Sequence, residues 1–121
     1  MLRAYCKYLL QTGVPFSQVY MERTLSANSG IARNLVKLFE ARFDPDVARS
    51  ARTPERHTEK IVGQLRVALD AVTSLDEDRI LRAYQNLVNA TLRTNFYQRD
   101  AAGKPKSYVS FKLDPAKIPD L

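Results

Sequence analysis

Apolar residues recur at helical spacing through most of this chain and then change to an alternating pattern near its end. Leu2, Tyr5, Cys6, Leu9 and Leu10 stand at i, i+3, i+4, i+7 and i+8, which places them on one helix face. Gly13-Val14-Pro15 closes that first segment, because glycine accepts a left-handed cap and proline has no N–H to continue a helix. Ser17 is a favourable N-cap for a second helix reaching about Ser26, with Phe16 and Met21 at the spacing of a hydrophobic staple. That helix is expected to bury Tyr20, Met21 and Leu25. Asn28-Ser29-Gly30 reads as a break. A third helix follows over Ile31–Phe43, with Ile31, Leu35, Leu38, Phe39 and Phe43 inward and Asp44-Pro45-Asp46 as its stop. Residues 44–53 have no periodic apolar pattern and are expected to form a mobile loop.

Thr53 and Pro54 pair as N-cap and first helical residue of a fourth segment, whose stripe is Ile61, Leu65, Ala68, Leu69 and Val72. Gly63 inside that helix costs up to ~1 kcal/mol relative to alanine, which suggests close packing by another backbone. Ser74-Leu75-Asp76-Glu77 matches a capping box, and Asp76, Glu77 and Asp78 suit the positive end of a helix dipole. Ile80, Tyr84, Leu87, Val88, Thr91 and Leu92 line the fifth helix, which extends to Phe96 and about 33 Å on this pattern. The short connection predicts an antiparallel hairpin of segments four and five. After a turn at Gly103-Lys104-Pro105, Ser107–Leu113 alternates as a strand, with no second strand in view. An isolated strand leaves its ladder groups unpaired, so it reads as the opening of a further domain. The expected fold is mainly α, a multi-helix bundle with an antiparallel helical hairpin and one C-terminal β-strand that begins the next domain. Residues 1–99 would form the helical domain, and 100–121 a linker and the first strand of a further domain that continues beyond them.

The 121 residues fit one domain, and 45% hydrophobic with 26% charged residues is the composition of a globular chain. No apolar run approaches the roughly 18 residues that span a bilayer, and no cleavable leader pattern stands at the N-terminus. Cys6 alone cannot form an internal disulfide, which favours a reducing cytoplasm. The formal charge of +6 raises the question of a polyanion. Arg49, Arg52, Arg56 and Lys60 are the candidates, but Glu55 and Glu59 alternate with the last two, as on a solvated surface rather than a phosphate track. His57 has no catalytic partner in the pattern, and Cys6 lies on an apolar stripe. The acids at 76–78 are explained by their helix start. No Cys/His spacing suits zinc, and no glycine-rich turn suits a phosphate. Tyr84, Phe96, Tyr97, Tyr108 and Phe111 read as core or docking residues. The residues thus offer no catalytic, cofactor-binding or metal site. They leave open an independent helical interaction module and, less in keeping with the pattern, a small basic nucleic-acid binder.

Several stretches together resemble the large bacterial class of NAD-specific glutamate dehydrogenase. They are Gln11-Thr12-Gly13-Val14-Pro15-Phe16-Ser17-Gln18, Leu38-Phe39-Glu40-Ala41-Arg42-Phe43-Asp44-Pro45, Arg82-Ala83-Tyr84, Arg93-Thr94-Asn95-Phe96-Tyr97-Gln98 and Ser107-Tyr108-Val109-Ser110-Phe111-Lys112-Leu113-Asp114-Pro115. They occur in the family's order along nearly the whole chain. The resemblance implies a helical region just before a catalytic domain, entered by the strand 107–113. It implies a parent oxidoreductase that converts L-glutamate and NAD to 2-oxoglutarate, ammonia and reduced cofactor. It also implies that the parent is homo-oligomeric and cytoplasmic, with the rest of the same polypeptide as this region's partner. The family's catalytic and nucleotide-binding residues lie beyond the position matching Leu121, so this stretch by itself is expected to be inactive and to bind no NAD. Tyr108, Phe111 and Leu113 are expected to anchor the helical hairpin to the catalytic sheet.

Overall fold

A computed structural model describes residues 1–50, 53–106 and 108–117. Among them are six helices: α1 (Leu2–Gln11), α2 (Gln18–Ala27), α3 (Ser29–Phe43), α4 (Pro45–Ser50), α5 (Pro54–Asp70) and α6 (Leu75–Ala90). Two short strands follow, β1 (Thr91–Thr94) and β2 (Phe111–Leu113), and then a 3-10 turn at Pro115–Lys117. The molecule is mainly helical, as its periodicity requires.

The caps explain several boundaries. The Ser17 hydroxyl accepts the Tyr20 N–H at 3.1 Å, and Ser74 accepts the Glu77 N–H at 3.3 Å. Thr53 precedes Pro54 as expected but makes no side-chain capping bond. Asn28 serves as the C-cap of α2 and the residue before α3, so the expected break narrows to one residue. Its amide donates to the Thr24 carbonyl at 2.9 Å and to Glu77 Oε1 at 3.2 Å, joining the α2–α3 corner to the start of α6.

One core joins these helices. Tyr5, Leu35, Leu38, Leu65, Leu81, Tyr84 and Val88 are fully enclosed, and the residues expected at Ile31, Phe39, Ile61, Leu69, Ile80 and Leu87 are buried with them. Each large side chain removed from water contributes about 1.5–3 kcal/mol. The connection 71–74 brings α5 and α6 into contact, but α5 packs chiefly against α3, and α6 touches α1, α2, α3 and α5. The helical hairpin is therefore opened around α3 rather than forming a self-contained strut. An added Cβ at Gly63 would meet nothing within 4 Å, so close backbone packing does not account for that glycine.

Two further expectations change. The segment 44–53, read as a loop, contains α4 up to Ser50. Asp44 Oδ1 accepts the Asp46 N–H at 2.9 Å, and Arg49 pairs with Asp46 at 2.7 Å, so local capping and charge replace an apolar stripe. Arg52 lies outside the described residues. The fifth predicted helix ends at Ala90 instead of Phe96, and the strand near the C-terminus is not alone. Thr91–Thr94 pairs antiparallel with Phe111–Leu113, in the register Thr91↔Leu113, Arg93↔Lys112 and Thr94↔Phe111. A bulge at Leu92 shifts the register between Thr91 and Arg93. Threonine suits a pleated strand better than a helix end, and β2 supplies the ladder that a continued helix could not. Of the predicted strand 107–113, the described residues adopt strand geometry only from Phe111, and Ser107 lies outside them. Residues 118–121 of the expected second unit also lie outside them.

Candidate functional site

The chemistry of the chain concentrates where α6 passes into the β1–β2 ribbon. Thr91 is completely buried there. Its hydroxyl donates to the Leu87 carbonyl at 2.7 Å and therefore accepts from the Tyr5 hydroxyl at 2.5 Å. A threonine bonding back to the preceding turn satisfies a helix-end carbonyl that would otherwise have no partner. Burial pushes the Tyr5 phenol up to about 12, opposed by its bond to Thr91 and by the charge of Arg42.

Arg42, at the last turn of α3, donates from Nη1 to the Val88 carbonyl and from Nη2 to the Thr91 carbonyl at 3.1 Å. A cation at this place suits the negative end of the α6 dipole. Its guanidinium also lies 4.9 Å from the centre of the Phe43 ring. The Asp114 N–H donates to the Ala90 carbonyl at 2.8 Å, so the end of β2 closes on the end of α6.

Asn95 holds the segment that enters β2. Its Nδ2 donates to the Tyr108 carbonyl at 3.0 Å, and its Oδ1 accepts the Ser110 N–H at 2.7 Å. Beyond it, the Arg99↔Pro105 bridge and a glycine at 103 with φ +78° return the chain. Phe111 turns inward. Its ring stacks on Tyr5 at 4.5 Å and meets the edge of Phe39 at 6.1 Å. Phe39 also packs against Phe43, Phe96 and Tyr97. Such aromatic pairs add about 0.5–1.5 kcal/mol each beyond area burial. Of the three residues expected to anchor the helical hairpin to the catalytic sheet, Phe111 and Leu113 pack on the helical core of this chain, whereas Tyr108 is 61% exposed.

The other singled-out residues are dispersed. His57, Arg56 and Lys60 are exposed on α5, and Arg49 is exposed on α4. Cys6 is buried beside Tyr84, whose enclosed hydroxyl meets no oxygen or nitrogen partner among the described residues and faces the Cys6 thiol. Burial, and then the Cys6 thiol, push the Tyr84 phenol far up. Of the three acids at the start of α6, Asp78 binds Arg82 at 2.8 Å and Glu77 receives the Asn28 amide, while Asp76 is exposed. No group of metal-ligating side chains occurs among the described residues. Among the described residues the two short strands pair antiparallel, and no glycine-rich turn leads from a strand into a helix.

Sequence reasoning gave no role to Arg42 or Asn95. The only available signals were a cation at the end of the third apolar stripe and an asparagine between two expected elements. Both side chains act on backbone groups far along the chain, which no local pattern records.

Helices, ribbon and one shared core define a mainly helical unit with a small antiparallel ribbon toward its C-terminal end. Residues 1–45 match the family model "Glutamate dehydrogenase, helical motif 3", and residues 64–121 match "Bacterial NAD-glutamate dehydrogenase, catalytic domain". The chain is 47% identical over 121 residues, its whole length, to an NAD-specific glutamate dehydrogenase of Pseudomonas aeruginosa. It is 46% identical over 118 residues, 98% of its length, to one of Halomonas elongata. Over 122 aligned positions it is 42% identical to one of Mycobacterium tuberculosis, again along its whole length. The chain belongs to the bacterial NAD-specific glutamate dehydrogenase family. It spans 7–8% of the length of these relatives. No solved structure matches it significantly.

Proposed function

We propose that this chain is a noncatalytic helical stretch of an NAD-dependent glutamate dehydrogenase, and that it seats the first strand of the catalytic domain. The observation that carries this reading is the similarity along the entire chain to enzymes of that name. The parent reaction is the oxidative deamination of L-glutamate to 2-oxoglutarate and ammonia, with NAD as acceptor. In this reading residues 1–99 form the helical part and 100–121 lead into the catalytic sheet, with β1 lending β2 its first ladder partner. The rest of the same polypeptide is the principal partner, and the whole enzyme is a cytoplasmic homo-oligomer. Among the described residues no helix is long and apolar enough to cross a membrane.

The stretch contributes position rather than chemistry. Tyr5, Phe39 and Arg42 fix the ends of β1 and β2 against the helical core, so the strand enters its sheet from a defined place. A polypeptide that continues through these residues into the following domain is expected to reduce NAD when given L-glutamate and to release ammonia. The 121 residues alone are expected to show no turnover. NAD reduction by the short chain, or none by the long one, would overturn the reading.

A further inference from the structure

The outward face of the ribbon opposes two positive charges. Arg93 and Lys112 are directly paired across the strands, and both are exposed. Like charges at opposed positions repel and destabilise an antiparallel pair. No carboxylate among the described residues forms an ion pair with either. More positive charge flanks the segment entering β2, where Arg3 and Lys7 line a groove with Met1, Ala4, Tyr108 and Val109. A two-stranded ribbon is marginal in water even without such repulsion. Its inner face is secured by Phe111 and Leu113, but its outer face is arranged for something negative.

Building on the reading that the chain is part of a longer glutamate dehydrogenase, we propose that a carboxylate-bearing surface elsewhere in the same polypeptide covers the Arg93–Lys112 face. Charge complementarity selects an acidic surface. The relatives, more than nine-tenths of whose length lies outside this stretch, have ample chain to supply it. Carboxylates seated between the two side chains turn a repulsive pair into a bridged one and hold the ribbon to the catalytic domain.

The test is Lys112→Glu in the full-length enzyme, read by thermal unfolding and by hydrogen exchange at 91–94 and 111–113. On an uncovered ribbon this change creates an attractive pair with Arg93, so stability should rise and exchange should slow. Against an acidic covering it places like charges together. The expected result is a lower melting temperature and exchange faster by about fivefold in the ribbon. Lys112→Gln, which adds no repulsion, should move both readouts in the same direction but less. A stabilised Lys112→Glu enzyme, or unchanged exchange in both variants, overturns the proposal. Dissociation of the Lys112→Glu enzyme into smaller species, seen by sedimentation, assigns the carboxylates to a second copy and overturns the placement within one polypeptide. Glutamate-dependent NAD reduction by the unmodified enzyme is measured alongside. Its absence refutes the underlying functional reading, whereas the exchange result addresses the covered face.

Discussion

Asn95 does for the ribbon what a further residue of backbone would do: it offers one donor and one acceptor to the passing chain. Only 7% of its surface is exposed, whereas Tyr108 and Ser110 are exposed residues, so water can reach part of the clamp. Asn95→Ala leaves the Tyr108 carbonyl and the Ser110 N–H without these partners. Buried groups left so cost about 1–3 kcal/mol each, reduced where water can reach them. We expect a loss of about 2 kcal/mol in urea unfolding and faster exchange at the Ser110 amide. Unchanged exchange there would rule out the clamp. Asn95→Asp keeps the acceptor and loses the donor, so it should retain protection at Ser110 while still destabilising the chain. Neither role was legible from the sequence, since an asparagine in Arg93-Thr94-Asn95-Phe96 has the same local appearance in a turn, a cap or a clamp.

At the scale of elements, the helices were readable because their signal is local. Five apolar stripes, the serine caps at 17 and 74 and the Thr53-Pro54 start place α1, α2, α3 and α5 within a few residues, together with the beginning of α6. The ribbon was not readable as a pair, because its strands lie sixteen residues apart with an irregular excursion between them. Leu92 continued the apolar period of α6, yet it stands at the bulge, 49% exposed. α4 was missed because a six-residue helix held by Asp44 and Arg49 needs no apolar stripe. Two predictions belong here. Gly63→Ala in α5 meets open space, so it should raise stability by about 0.5–1 kcal/mol in thermal or urea unfolding. Phe111→Ala removes the ring between Tyr5 and Phe39 and should cost about 2 kcal/mol, since the residue is half-buried. Tyr108→Ala should change stability by less than about 0.5 kcal/mol. The reverse order of those two losses would refute the inward docking of β2.

Across the whole molecule, the stretches matched by the two family models share one interior. Tyr5 and Arg42 lie in residues 1–45; Tyr5 bonds the Thr91 hydroxyl, and Arg42 the Val88 and Thr91 carbonyls, all in residues 64–121. Buried tyrosines give this interior a pH limit. Tyr5 is pushed up to about 12 from 10.0 chiefly by burial. Tyr97 is pushed up to about 12 by burial and then by Asp44 and Glu40. Between pH 10 and 12 the unfolded chain has lost phenolic protons that the folded chain retains. Stability should therefore be undiminished by these groups below pH 10 and fall as pH rises toward 12. Circular dichroism and phenolate absorbance followed together should show ionisation accompanying unfolding. Ionisation near pH 10 of the phenol that a Tyr5→Phe chain lacks, with the fold intact, would contradict the burial.

The closure of Asp114 on Ala90 also has a mechanical meaning. A pull on the chain just after β2 does not first straighten a slack tether. It loads the final turn of α6 through the Asp114–Ala90 bond and, by way of Thr91, tugs on the tyrosine of α1. The ribbon thus works as a short-throw lever, and the helices feel a pull applied after Leu113 almost where it begins.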